Sequence, residues 1–345
     1  MQLTLLLPAQ AHLSGASTLA RWRARGDRSD AAKPGREAQL RAQFEFHGPA
    51  LPIAALTRSV DASDADSALW LRCDPAYVIA DAVTLRLIAC GGNLQLSAEE
   101  VLEFSRVLKP LFGDAGFPLE AARPDRWYLR CPREAKLPRF SAPADALGDD
   151  LARHLPDGDN ARQWRSLLNE AQIALTQHPL NAQRAQRGLP PVNSLWFWGA
   201  GVLPQWVRCG FDRVFTDDEI LSTLARLAKI EASATGSFSS PLAQPGERSG
   251  EGALFARPKE QPPSPNPLPR TKEPSRGEGF EASSATLVDL AGYRDAAALE
   301  TNWFAPFDAM FAKRKLEAVH LHFLDGERLT YKPSHRWRFW RRVKT

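Results

Sequence analysis

The chain reads as an α/β protein in which a mixed sheet flanked by helices carries a smaller α+β layer, and three observations predict it. Runs of β-formers open the chain at Met1 to Leu7 and return late at Ala285 to Leu290 and Ala318 to Leu324, with helical apolar patterns between them. The interval 68–131 reads β-β-β-α-β-β, a compact layer of its own. Ser194-Leu-Trp-Phe-Trp198 is a dense run of β-formers, expected as a buried strand of the main sheet.

Each element follows from local chemistry. The first apolar run has no basic residue before it and is short, so it is expected as a strand rather than a signal peptide. The arginine-rich segment Arg21 to Arg41 is expected as a solvated helix and loop. Leu51 to Val60 is an amphipathic helix, and Asp61 to Ser67 an acidic turn that lacks the glycine and distal glutamate of a calcium loop. Strands are expected at Ala68 to Cys73, Ala76 to Ala80, Val83 to Ala89, Pro118 to Ala122 and Arg126 to Cys131. Ser97-Ala-Glu-Glu100 is a capping box, and Val101, Phe104, Leu108 and Leu111 form the buried stripe of the helix it starts.

From Asn160 to His178 the residues Trp164, Leu167, Leu168, Ala171, Leu175 and His178 share one helical face. Asp157-Gly-Asp159 supplies the N-cap, and Pro179 ends the helix near Gln177 because the residue before proline leaves the α region. A short basic turn is expected next. Gly188 and Pro190-Pro191 then force an extended approach to Ser194, and Gly199 and Gly201 close the strand where another backbone or a small ligand comes near. Nine prolines, six glycines and eight serines fall between 236 and 284 with no apolar period, so a disordered linker is expected there. A helix over Arg294 to Lys315 carries Leu299, Trp303, Phe307 and Phe311, and Asp325-Gly326 turns the following strand into Arg328 to Tyr331. The expected units are 1–67, 136–235 and 285–345 for the core, 68–135 for the attached layer and 236–284 for the linker.

Composition narrows the function classes. With 345 residues and 43% apolar content the chain can bury a sizeable core. A net charge of +4 gives no overall nucleic-acid footprint, which leaves only the tail tryptophans Trp337 and Trp340 among Arg336, Arg338, Arg341 and Arg342 as a local alternative. Cys73, Cys90, Cys131 and Cys209 form no Cys-x-x-Cys pair and are expected as free thiols of a cytoplasmic protein. No apolar run approaches membrane-spanning length.

The order and spacing of Asn181, Arg184, Gly188, Pro191, Asn193, Trp196, Trp198, Gly199 and Gly201 resemble the Asn-x-x-Arg, Gly, Pro-x-Asn and Trp-Gly-x-Gly pattern of archaeal-type cofactor-independent phosphoglycerate mutases. Leu71-Arg-Cys-Asp74, the Ser97 box and Arg126-Trp-Tyr-Leu129 resemble pieces of the smaller domain of those mutases, with Asp74 in place of their asparagine. The closing Trp337-Arg-Phe-Trp340 after a hairpin resembles the bacterial RpfE-type regulatory proteins. The resemblance implies a degenerate alkaline-phosphatase-like core.

The resembled reaction needs a serine or threonine nucleophile beside two divalent metals held by several aspartates and histidines. The sequence has seven histidines, no Asp-His pair, and Pro8-Ala-Gln10 where a first aspartate is expected. His320-x-His322 is a metal-like spacing on a strand, without a third ligand nearby. No cofactor, no metal and no catalytic residue are therefore expected, and the reading is a regulatory pseudoenzyme that holds a phosphorylated or carboxylate small molecule, or a protein partner. An active mutase or phosphatase is the alternative. Arg184 and Arg126 are the expected anion clamps, with Asn181, Asn193, Gly199 and Gly201 beside them and His178, Trp196 and Trp198 as scaffold.

Overall fold

A computed structural model describes residues 1–65, 68–81, 84–238 and 284–341. Its strands are β1 (Gln2–Leu7), β2 (Asp27–Arg28), β3 (Glu45–Phe46), β4 (Leu69–Ala80), β5 (Leu85–Cys90), β6 (Leu119–Arg123), β7 (Arg126–Cys131), β8 (Ser194–Val202), β9 (Val207–Arg208), β10 (Arg213–Phe215), β11 (Glu231–Ser233), β12 (Ala285–Asp289), β13 (Ala318–Phe323) and β14 (Arg328–Tyr331). The helices are α1 (Ser17–Arg25), α2 (Arg36–Arg41), α3 (Ile53–Asp61), α4 (Ala98–Asp114), the one-turn α5 (Pro143–Ala146), α6 (Ala161–Thr176), α7 (Leu180–Gln186), α8 (Glu219–Leu227), α9 (Ala296–Leu299) and α10 (Ala305–Ala312).

The main sheet runs β11-β10-β12-β1-β13-β14-β2. Its first five strands are parallel, and β14 and β2 add an antiparallel edge. The run of leucines in β1, interrupted only by Thr4, reflects burial on both faces. Leu3, Leu5 and Leu7 pack with Trp22, Phe304 and Phe311, whereas Leu6 packs with Leu56, Leu221 and Leu287. The mixed α/β class expected from the sequence is the class observed.

A second, antiparallel sheet is ordered β5-β4-β7-β6, with β8 also paired to β4. Here the structure corrects the reading of Ser194 to Trp198. That run is buried and extended as expected, but it pairs with Arg72 to Ala76 in the second sheet and takes no part in the main one. Local patterning reports that a strand is buried and cannot report which strand it lies beside. One face of this sheet meets α4 and α6, where Phe104, Phe112, Trp164 and Phe197 gather. The other face sets Trp70 and Tyr128 against Ala54 and Ala55 of α3.

Several local expectations change. The two strands around Pro75 are one, because β7 pairing ends at Arg72 and β5 pairing begins at Ala76, and Pro75, which has no N–H to give, sits in that interval. Gly199 and Gly201 lie inside β8 rather than after it. The basic turn after Pro179 is the helix α7, since Pro179 sits at its start, where a missing N–H costs nothing. Asn160 in a left-handed conformation precedes α6, and no side chain caps it. The Ser97 box forms as expected, and Leu111 is only partly buried while Phe112 takes the deeper place. The late helix is interrupted by a π turn, Glu300–Phe304, directly before Pro306, whose ring and missing N–H disrupt regular α bonding.

The expected linker falls almost wholly outside the described residues. At its start, however, Phe238 packs edge-on to Phe215 and against Trp303 and Phe307. All four cysteines are free, and burial pushes the Cys131 thiol up to about 12. Among the described residues no helix is long and apolar enough to cross a membrane.

Candidate functional site

In open parallel sheets the carboxyl ends of the strands, where successive loops diverge, are the usual place for a ligand. Here those ends are Leu7 of β1, Thr216 to Asp218 after β10, Asp289 of β12 and His322 of β13. The helix α2 lies across them. Gln39 donates from Nε2 to the Leu7 carbonyl at 3.1 Å and to the His322 carbonyl at 2.7 Å. Gln43 meets His322 Nδ1 at 2.7 Å. Arg36 donates to both oxygens of Asp289, at 3.0 and 2.5 Å, and lies 3.2 Å from Asp218 Oδ2. Thr216 Oγ1 donates to Asp289 Oδ2 at 2.9 Å, and the Ala291 N–H to Oδ1 at 3.2 Å.

The electrostatics follow from this packing. Burial works against the Arg36 charge, but Asp289 and Asp218 outweigh it and hold its pKa above the ordinary arginine value. Burial, with Arg328 opposite and His320 beside it, pushes His322 down to about 4 and keeps it neutral near pH 7. His320 and His322 share a face of β13, yet each is bonded separately, His320 to Thr330 Oγ1 at 2.9 Å and His322 to Gln43.

Above α2 a cavity of about 1160 Å³ separates it from the second sheet. Its far wall is the buried pair Arg72 and Asp74, joined at 2.8 and 2.7 Å, with the Arg72 guanidinium between the rings of Tyr128 and Trp198. Asp74 also accepts from Trp198 Nε1 at 2.7 Å, so the carboxylate that stands for the expected asparagine is fully engaged. Arg126 lines the same cavity and pairs with Glu219 at 2.6 Å and Asp61 at 3.5 Å. Lys33 and Arg328 line it too, and among the described residues neither side chain has a hydrogen bond or an ion pair. Arg328 stands opposite His322 in the β13–β14 register, so it faces the same side of the sheet, toward α2.

The sequence-derived residues separate into two groups. Arg126 and Trp198 reach the cavity wall. Gly199 and Gly201 lie where β8 passes the start of α3, and a Cβ on Gly201 would stand 2.4 Å from Pro52 Cβ and 2.8 Å from its Cα, so the close neighbour is the Pro52 ring and backbone. Arg184 is the main correction. It is 0% exposed, not an open clamp, and it donates to Glu100 at 2.7 Å and to the carbonyls of Leu94 and Pro190 at 2.5 and 2.9 Å. Asn181 bonds both Val192 backbone groups and the Leu175 carbonyl, and Asn193 bonds both backbone groups of Val78. His178 accepts the Leu180 N–H and packs on Phe104, and Trp196 Nε1 donates to Ser141. Sequence reasoning missed Arg36, Gln39, Gln43, Lys33 and Arg328, and the Arg21 to Arg41 run it set aside as solvated was the available signal.

In the basic tail, Trp337, Phe339 and Trp340 are exposed, while Arg338 is paired with Asp27 and Arg341 donates to the Gly26 carbonyl at 3.0 Å. Arg342 lies outside the described residues.

Comparison with known proteins bears on this site. No family model matches the chain. Over 66 residues, 19% of this chain and 17% of the relative, it is 38% identical to the 2,3-bisphosphoglycerate-independent phosphoglycerate mutase of Methanothrix thermoacetophila. It is also 38% identical over 63 residues to a probable enzyme of the same name from Geobacter sulfurreducens. The matches thus span less than a fifth of these relatives, and they support homology to that family over a short stretch. The cofactor-independent phosphoglycerate mutase of Thermoplasma acidophilum aligns over 96% of this chain and 89% of its own at 15% identity and a TM-score of 0.36. The PH0037 protein of Pyrococcus horikoshii aligns over 96% and 87% at 12% identity and a TM-score of 0.40.

The two divalent metals that the resemblance implies would need several free carboxylate and imidazole donors at the strand ends. The residues present do not fit. Both Asp289 oxygens are taken, His322 Nδ1 is taken, β1 ends in Leu7-Pro8, and a guanidinium already stands among the carboxylates. Among the described residues no group of three or more His, Cys, Asp and Glu is placed to hold a metal ion.

Proposed function

We propose that this phosphoglycerate-mutase-like chain is a regulatory protein of the RpfE type, which holds a small phosphorylated or carboxylate molecule in the cleft without turning it over. One observation carries the reading: Arg36, Gln39 and Gln43 of the α2 region saturate the polar groups at the carboxyl ends of the main sheet. Among the described residues, a reacting phosphate at those ends would find no cluster of open donors for a metal ion. The cleft above them keeps two cations, Lys33 and Arg328, without counter-ions among the described residues, and an anion bridging them would supply the charge they lack.

Purified protein assayed for mutase and phosphatase turnover with magnesium, manganese, zinc or cobalt should show none. Melting with 3-phosphoglycerate and with inorganic phosphate should show a rise, since a ligand at a hundredfold excess over its dissociation constant stabilises by about 2.7 kcal/mol. Arg328→Gln should remove most of that rise. Metal-dependent turnover at any mutase-like rate would overturn the proposal.

A further inference from the structure

We infer that Arg36 is the resident cation of the strand-end site: its guanidinium takes the place between Asp289 and Asp218 that a divalent metal would require, and bars one from entering. The inference rests on the proposed lack of turnover and gives it a specific cause.

The argument starts from Asp289. Its side chain is almost wholly buried, and a carboxylate so placed demands a compensating positive charge. Arg36 supplies it in the geometry best suited to a carboxylate, two parallel N–H groups on two oxygens. The same Nη2 lies 3.2 Å from Asp218, so one guanidinium serves two carboxylates from different strand ends. Gln39 Oε1 accepts from Arg36 Nη1 at 2.8 Å, and the Thr216 hydroxyl holds Asp289 in place by donating to its Oδ2. Two carboxylates and an amide oxygen are donors of the kind a hard divalent cation prefers. Here they converge on a side chain instead. Gly35 sets this up, entering α2 at φ +105°, a conformation L side chains rarely adopt, immediately before Arg36.

Three proteins test the assignment: the wild type, Arg36→Gln and Arg36→Gln/Asp289→Asn. The measurement is the melting temperature with and without millimolar manganese, alongside the free-manganese electron paramagnetic resonance signal. Arg36→Gln should melt below wild type in chelator and gain several degrees with manganese while depleting the free signal. Wild type and the double variant should show neither response. Should Arg36→Gln not fold, Arg36→Lys, which keeps the charge, is measured in its place with Asp289→Asn in the wild-type background. Manganese exclusion by Arg36→Lys supports the assignment.

Manganese bound by wild type and lost in Asp289→Asn overturns it, as does an Arg36→Gln protein that folds and ignores the metal. Turnover by wild type would defeat the functional proposal itself, whereas an inert Arg36→Gln beside an inactive wild type defeats only this inference.

Discussion

Two arginines, each set against a buried carboxylate, divide this molecule between scaffold and site. Arg184 sits inside the second sheet's flank, where Glu100 and two backbone carbonyls consume it. Arg36 sits at the carboxyl ends of the main sheet, with one edge on Asp289 and Asp218 and the other toward a cavity of about 1160 Å³. Similar pairing chemistry therefore does two jobs. Glu100 closes the capping box of α4 and is also held by Arg187, so Arg184 ties a helix start to the Pro190 approach into β8. Arg36 instead ties together the ends of strands that come from distant parts of the chain. The difference teaches that a residue pattern resembling an enzyme family's can serve as architecture, its polar groups spent on the chain itself.

Breaking the scaffold side should produce the largest effect. Arg184→Met leaves Glu100 and the Leu94 and Pro190 carbonyls buried with fewer partners, and should cost about 3 kcal/mol or more in denaturant unfolding. A loss below about 1 kcal/mol would return Arg184 to the list of ligand clamps. Gly201→Ala places a Cβ within 2.8 Å of the Pro52 Cα and should cost about 2 kcal/mol, because the clash is with a rigid ring and backbone. An unchanged melting point there would mean that α3 is free to retreat from β8.

The site side is sharpened by pH. The folded-state pKa of His322, about 4, lies below its unfolded value, so the folded state binds fewer protons. Its contribution is fully present above about pH 6.5 and is lost as pH falls toward 4. His322→Gln should flatten the stability profile between those values, as read from melting temperatures across that range. A profile as steep as wild type would place the titration elsewhere, with His320, whose pKa burial also lowers, as the next group to replace. The smallest effect belongs to the tail. Trp340 is 75% exposed, and Trp340→Ser should move stability by less than about 0.5 kcal/mol. A larger loss would show that this ring is covered in solution.

Much of the fold was legible because local signals agreed with it. The Ser97 box, the β1 run, the Asp325-Gly326 hairpin and the apolar face of α6 all form where their spacing places them. The site was less legible. Arg184 and Asn193 stood in a recognisable pattern, but whether their polar groups meet solvent or backbone depends on Leu94 and Val78, distant in the chain. Arg36 carried the opposite disguise, an arginine in a charged run that reads as solvent-facing until Asp289 arrives beneath it.

Sequence by itself determined the α/β class, the capped start of α4, the buried stripes and the hairpin, since these depend on residues a few positions apart. Tertiary structure alone decided that β8 joins the second sheet, that Arg184 is sealed and that Arg36 lies over the strand ends. Those outcomes turn on contacts between segments up to 253 residues apart, as between Arg36 and Asp289. Periodicity reports only which face of an element is apolar, and it is the pairing of distant elements that determines which charge meets which.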